Sequence, residues 1–246
     1  MSEPGRSFDE TAPTYAAVRP AYPQAALDWL VPDWLVPDGT RRVLDLGAGT
    51  GKLTRQLADL GLDVVAVEPS LQMAAELADW VPEAELRLGA AEDLPLPDAC
   101  VDAVFVGSAF HWFEHGAALA EIRRVLRPGG TFGLIRNRPD DSVAWIAELD
   151  ELTGARARRG KRNPVPQDTT GFQHVATAEF GHRHPVTKGA LLALLQTYSY
   201  YLLLDTPSRA RLLADVGRLV DTHPALAGRT GFELQFVTLC WRGIRR

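Results

Sequence analysis

The chain has 246 residues, 46% hydrophobic and 23% charged, enough to bury the core of one large α/β domain. A net charge of −5 gives no general attraction to a polyanion, so binding to nucleic acid or an anionic membrane would need a local basic patch. The N-terminal MSEPGRSFDETAP lacks the regions of a signal peptide, no apolar run is long enough to span a bilayer, and Cys100 and Cys240 lack metal-like spacing; a cytoplasmic protein without disulfides or a metal site is expected.

In chain order, the first feature is a local duplication, in which Asp28–Pro32 repeats as Asp33–Pro37 and lengthens the approach to the first strand. From Arg42 the β-branched runs RVLDL, DVVAVE, AELRLGA and VDAVFVG alternate with longer helical periods, such as the stripe Leu53, Leu57 and Leu60. A helix around Ala117 to Leu126 is predicted to stop at Arg127-Pro-Gly-Gly130 and lead into the strand TFGLIRN. Beyond Asn137 the pattern predicts a helix near Val143 to Thr153 and an extended segment over His174 to Val186. Helices over Gly189 to Leu204 and Ser208 to Val220 follow, then a strand-rich close from Phe232 to Trp241. The basic run Arg156, Arg158, Arg159, Lys161 and Arg162 is flanked by Gly and Pro and reads as a solvated loop. Alternating β and α implies a parallel sheet with right-handed crossovers, which binds ligands at the carboxyl ends of its strands.

At the end of the first such strand stands VLDLGAGTGKL, residues 43–53. A P-loop would need glycine at Leu46 and Ser or Thr at Leu53, and the dinucleotide fingerprint would need glycine at Lys52. The loop is therefore G-x-G-x-G, and Asp45 directly before it repels phosphate and attracts a cation. A nucleoside-like, positively charged ligand fits. Glu68, ending the second strand before Pro69-Ser70, suits bidentate acceptance of two ribose hydroxyls, or serves as an acid at a helix N-terminus. Gly89-Ala-Ala-Glu-Asp-Leu94 follows the third strand, where an acid and backbone groups can read the edge of an adenine.

Together VLDLGAGTGKLTRQL, VVAVEPSLQM, GAAEDLPLPDACVDAVFV and EIRRVLRPGG resemble, in order and spacing, the class I S-adenosylmethionine-dependent methyltransferases over roughly Arg42 to Arg136. The resemblance implies a Rossmann-like, mostly parallel seven-stranded sheet with helices on both faces and an antiparallel last strand. It implies one domain over residues 1–246, with lid helices in 1–40, the cofactor-binding core in 41–138 and substrate-side helices and closing strands in 139–246. S-adenosylmethionine carries a sulfonium, an ammonium and no phosphate, which agrees with Asp45. On the family pattern Gly47, Ala48, Gly49 and Gly51 lie along the methionine moiety, and Glu68 with Pro69 holds the ribose. Ala91, Glu92 and Asp93 border the adenine, and Gly107 and Ser108 face the sulfonium.

FDETAPTYAAVRPAYP, SAFHWF and TYSYYL resemble the small-molecule branch that includes trans-aconitate methyltransferases. That likeness makes Tyr15 and Arg19 candidates for a lid over the cofactor, although a surface-paired Arg19 on a packed helix fits as well. His111 is the candidate catalytic residue, as general base, hydrogen-bond donor to an anionic acceptor or packed neighbour of Trp112. Trp112, Tyr198, Ser199 and Tyr200 are candidates for the acceptor pocket. No Asn/Asp-Pro-Pro-Tyr/Phe stretch follows the fourth strand and no Pro-Cys is present, which disfavours adenine or glutamine N-methylation and pyrimidine C5 chemistry. A small-molecule acceptor with a carboxylate or hydroxyl oxygen is expected, with no nucleic-acid or membrane partner. The rival readings are an RNA or protein methyltransferase and a non-methylating S-adenosylmethionine-binding protein.

Overall fold

Four apolar runs pair in parallel: β1 (Arg42–Leu46), β2 (Asp63–Glu68), β3 (Glu85–Leu88) and β4 (Val101–Gly107). The computed structural model describes residues 17–35, 41–155 and 165–246. With β5 (Leu126–Pro139), β6 (Phe172–Val186) and β7 (Phe232–Arg245), the strands form one seven-stranded sheet in the order β3-β2-β1-β4-β5-β7-β6, with β7 antiparallel. The order reverses between β1 and β4, which puts the carboxyl ends of these two strands at the topological switch point.

Side chains alternate across the sheet. Val43, Val64, Ala103, Phe105 and Ile135 pack with Leu27 and Leu30 of α1 (Gln24–Leu30) and Leu53 and Leu57 of α2 (Lys52–Asp59). Ala66 packs against Leu77 of α3 (Leu71–Trp80). The intervening Leu44, Val65, Val104 and Phe132 meet Leu119 and Ile122 of α4 (His115–Val125). The remaining helices are α5 (Ala144–Thr153), α6 (Lys188–Gln196), α7 (Ser199–Leu202) and α8 (Thr206–Thr222).

Contacts divide the chain into two units. Of the described residues, one comprises 21–35, 41–137, 165–180 and 238–246, and the other 17–20, 138–155 and 181–237. The second unit has its own core, where Trp145 and Leu149 of α5 meet Leu194, Val216 and Phe236.

The structure departs from the sequence expectation at two places. Arg127-Pro-Gly-Gly130 is not a turn ahead of a strand: β5 already begins at Leu126, which pairs with Val101, and the register then shifts so that Thr131 meets Ala103. The Pro-Gly-Gly segment is the irregularity in a strand, with Gly129 at φ 79°. The helix expected over 189–204 is broken, because Thr197 Oγ1 donates back to Leu194 O at 2.7 Å and Tyr198 adopts extended dihedrals as the cap of α7. The duplicated pentapeptide takes two conformations, its first copy closing α1 and its second forming a 3-10 turn at Asp33–Leu35.

Candidate active site

The glycine loop is held by backbone hydrogen bonds to β2, with the N–H groups of Gly47 and Ala48 donating to Val67 O at 2.8 and 3.2 Å. Gly47, Gly49 and Gly51 all have positive φ, at 71°, 58° and 87°, a region open to glycine and strained for other residues. At Gly47 a side chain is excluded by contact as well, since a Cβ there would come within 2.7 Å of Ala109 Cβ. The loop can therefore pack closely against Ala109 and Phe113 only with glycine at this position.

Asp45, the penultimate residue of β1 just before this loop, is fully buried. Its Oδ2 accepts a 2.6 Å hydrogen bond from Thr54 Oγ1 of α2, and its Oδ1 has no hydrogen-bond partner among the described residues. Burial pushes the carboxyl up to about 7, the Thr54 hydrogen bond opposes the rise, and the charge of Glu68 adds to it. Thr50 Oγ1, within the loop, is likewise buried and without a hydrogen-bond partner among the described residues. Such orphaned polar atoms are what a bound polar ligand satisfies, and two neighbouring acids favour a cation over a phosphate. These residues fit S-adenosylmethionine.

Glu68, 7% exposed, accepts from two backbone donors, Gly49 N–H on Oε2 at 2.9 Å and Ser70 N–H on Oε1 at 3.0 Å. It ties the glycine loop to the start of α3, where Ser70 Oγ caps Met73 N. Pro69 is exposed beside it. After β3, Ala90 and Asp93 form an antiparallel bridge, Ala91 is buried, and Glu92 Oε1 accepts from the N–H of Glu114, itself the cap of α4. Glu92 thus anchors a helix N-terminus at the place where the family pattern sets the adenine.

At the end of β4, Ser108 lies in the left-handed region with φ 57°, and its Oγ is 3.0 Å from the Tyr22 hydroxyl. The same hydroxyl would lie 3.0 Å from a Cβ at Gly107. A strained non-glycine residue held by a side-chain partner is characteristic of functional positions. His111 and Trp112 follow in a 3-10 turn, their rings 4.8 Å apart. A cavity of about 220 Å³ is lined by Ser108 and His111 together with Arg136, Glu179 and Trp241. Its walls are mainly apolar, and burial pushes the thiol of Cys240, one of them, up to about 12, so that it stays neutral.

The structure thus brings Asp45, Gly47, Ala48, Gly49, Gly51 and Glu68 to one loop, and gathers Ser108 and His111 around one cavity. Arg19 belongs to the other unit, where its Nε and a terminal nitrogen donate to Thr197 Oγ1 and O, both at 2.9 Å. Its guanidinium stands 3.9 Å over the Tyr198 ring, which stacks on Tyr200 at 5.3 Å. Ser199 opens α7 in that unit. Tyr15 and the basic run at Arg156–Arg162 lie outside the described residues. Sequence reasoning missed Thr54, Tyr22 and Arg136. For Thr54 a signal existed, a lone hydroxyl beside Leu53 on the apolar stripe of α2.

Residues 44–134 match the family described as the methyltransferase domain. The chain is 42% identical over 242 residues to an uncharacterized methyltransferase of Mycobacterium tuberculosis, covering 96% of this chain and 94% of that one. A malonyl-[acyl-carrier protein] O-methyltransferase of Yersinia pestis is 36% identical over 150 residues, 59% of this chain and 52% of that protein. Among solved structures, a candidate type II methyltransferase of Anaeromyxobacter dehalogenans superposes with a TM-score of 0.62 at 27% identity, covering 93% of this chain and 97% of that one. Glycine loop, strand order and relatives agree: the chain belongs to the class I S-adenosylmethionine-dependent methyltransferases.

Proposed function

We propose that the enzyme methylates an oxygen, carboxylate or hydroxyl, of a small-molecule acceptor bound in the cavity beside Ser108 and His111. The observation that carries this reading is the cavity itself: about 220 Å³, mostly apolar, and open at the carboxyl ends of β4 and β5 with a histidine and a serine on its wall. Bound S-adenosylmethionine supplies an electrophilic methyl group on a sulfonium. Asp45 and Thr50 offer polar atoms at the glycine loop that are unfilled among the described residues, and Glu68, at the end of β2, accepts from the ribose hydroxyls. The apolar walls exclude water and align the acceptor oxygen; such orientation supplies effective molarities of roughly 10⁵–10⁸ M. His111 takes the proton of a hydroxyl acceptor or donates a hydrogen bond to a carboxylate.

The likeness to an O-methyltransferase over half of each chain supports oxygen as the acceptor atom. The motifs FDETAPTYAAVRPAYP, SAFHWF and TYSYYL support the branch that includes trans-aconitate methyltransferases. Incubating the enzyme with methyl-labelled cofactor and a metabolite extract tests the proposal. Label is expected in small products; label confined to RNA or protein would refute it.

A further inference from the structure

We infer that Arg136 binds the acceptor through a carboxylate, and that this carboxylate, on an otherwise apolar monoacid, is the group methylated. The inference rests on the cavity beside His111 being the acceptor site.

Register places the arginine. Gly107 of β4 pairs with Ile135 of β5, and the N–H of Ser108 donates to Ile135 O at 2.9 Å. Arg136, the next residue, therefore stands level with Ser108 on the adjacent strand, about 4.8 Å away at the backbone. Leu134 faces the α4 side of the sheet, so Arg136, two residues on, leaves the same side, and it lines the cavity with His111. Its planar fork matches a carboxylate in two parallel hydrogen bonds, and among apolar walls such a charged pair is stronger than in water.

Glu179 limits how much negative charge the acceptor can carry. It lies at the exposed rim of the same cavity on β6, and β7 separates β6 from β5, so the two charged residues sit on strands about 10 Å apart. An acid held at Arg136 points the rest of its body along the apolar wall, and a second carboxylate would come toward Glu179. A monoacid escapes that repulsion.

The chemistry balances without a base. A carboxylate oxygen forms a bond to the methyl carbon as the methyl–sulfur bond breaks, and the electron pair of that bond stays on sulfur as a neutral thioether. No proton is released. The ester formed has lost its charge and with it the ion pair to Arg136, so the residue that binds substrate does not retain product.

The test uses the whole enzyme with methyl-labelled cofactor and hexanoate, adipate, hexan-1-ol and a fractionated metabolite extract as acceptors. Label is expected in base-labile methyl esters of monoacids. Arg136→Gln should raise KM for the acid about 10- to 150-fold, the equivalent of losing a charged hydrogen bond, with cofactor Kd unchanged. Arg136→Lys should recover part of the loss, and Glu179→Gln should raise adipate turnover relative to hexanoate. Base-stable label in small products, or an Arg136→Gln variant with unchanged KM for the acid, overturns the role of Arg136 and leaves small-molecule methylation standing. Label only in RNA or protein overturns both.

Discussion

Thr54 Oγ1 donates a 2.6 Å hydrogen bond to Oδ2 of the buried Asp45 carboxyl group, while Oδ1 has no hydrogen-bond partner among the described residues. With the folded pKa raised from 3.8 to about 7, the folded chain binds more protons than the unfolded chain between those values. The contribution of Asp45 to stability is therefore largest below about pH 4, falls as pH rises toward 7 and levels off above it, opposite in sign to that of carboxylates such as Glu85 and Glu121, whose pKa values are lowered by ion pairs. Asp45→Asn should flatten that slope in urea titrations at pH 5 and 8. A cationic ligand favours the ionised form, so S-adenosylmethionine should bind about tenfold more tightly at pH 8 than at pH 6, with proton uptake by the buffer. Calorimetry in buffers of different ionisation heat measures this; binding without proton release would remove Asp45 from the cofactor's field.

Glu68 has two tasks that can be separated. Glu68→Ala removes the acceptor for Gly49 N–H and Ser70 N–H, so the ligand-free protein should melt lower. If the same carboxylate holds the ribose, cofactor affinity should fall by a further ~1.5–3 kcal/mol, and NAD should bind neither form. A lowered melting temperature with unchanged Kd would restrict Glu68 to loop and helix anchoring.

Gly47 and Gly61 both have positive φ, 71° and 80°, but a Cβ at Gly61 meets nothing within 4 Å. Gly61→Ala should therefore cost only the left-handed backbone penalty, about 1–2 kcal/mol. Gly47→Ala adds the 2.7 Å approach to Ala109 Cβ and should cost more. Chemical denaturation of both, and of Gly47→Ala with Ala109→Gly, measures the crowding. The double variant should recover the excess; failure to do so would show that the loop, not Ala109, opposes the side chain.

What was legible in the sequence is what local rules determine. β1, β2 and β4 are apolar runs ended by glycine or proline, and the loop after β1 declares itself because three left-handed backbone positions call for three glycines. Asp45 and Glu68 were legible for the same reason, since Asp45 is the penultimate residue of β1 and Glu68 the last of β2. Arg136 was not, because its meaning depends on the pairing of Gly107 with Ile135, and Tyr22 meets Ser108 across 86 residues. The broken helix escaped detection because Thr197 is held both by its own back-bond to Leu194 and by Arg19, 178 residues away. Pro-Gly-Gly in β5 reads locally as a turn; only its partner Val101 makes it an irregularity within a strand.

His111 stands in a 3-10 turn on the wall of the cavity, its ring tilted 40° to that of Trp112, and its task depends on the acceptor atom. A hydroxyl must lose its proton as the new bond forms, so His111→Ala should then lower kcat by about 10²–10⁴, with cofactor affinity little changed. A carboxylate, the group inferred from Arg136, arrives ionised. In that case the expected result is a higher KM with a smaller change in kcat, and a pH profile without an essential base near neutrality. His111→Gln separates the two, because an amide still donates a hydrogen bond but takes no proton: it should preserve turnover of a carboxylate and abolish the base-dependent rate on a hydroxyl. The two variants, assayed for kcat and KM from pH 5.5 to 9, give distinct patterns for base and for hydrogen-bond donor. Near-normal kinetics in both would leave His111 as a packing neighbour of Trp112.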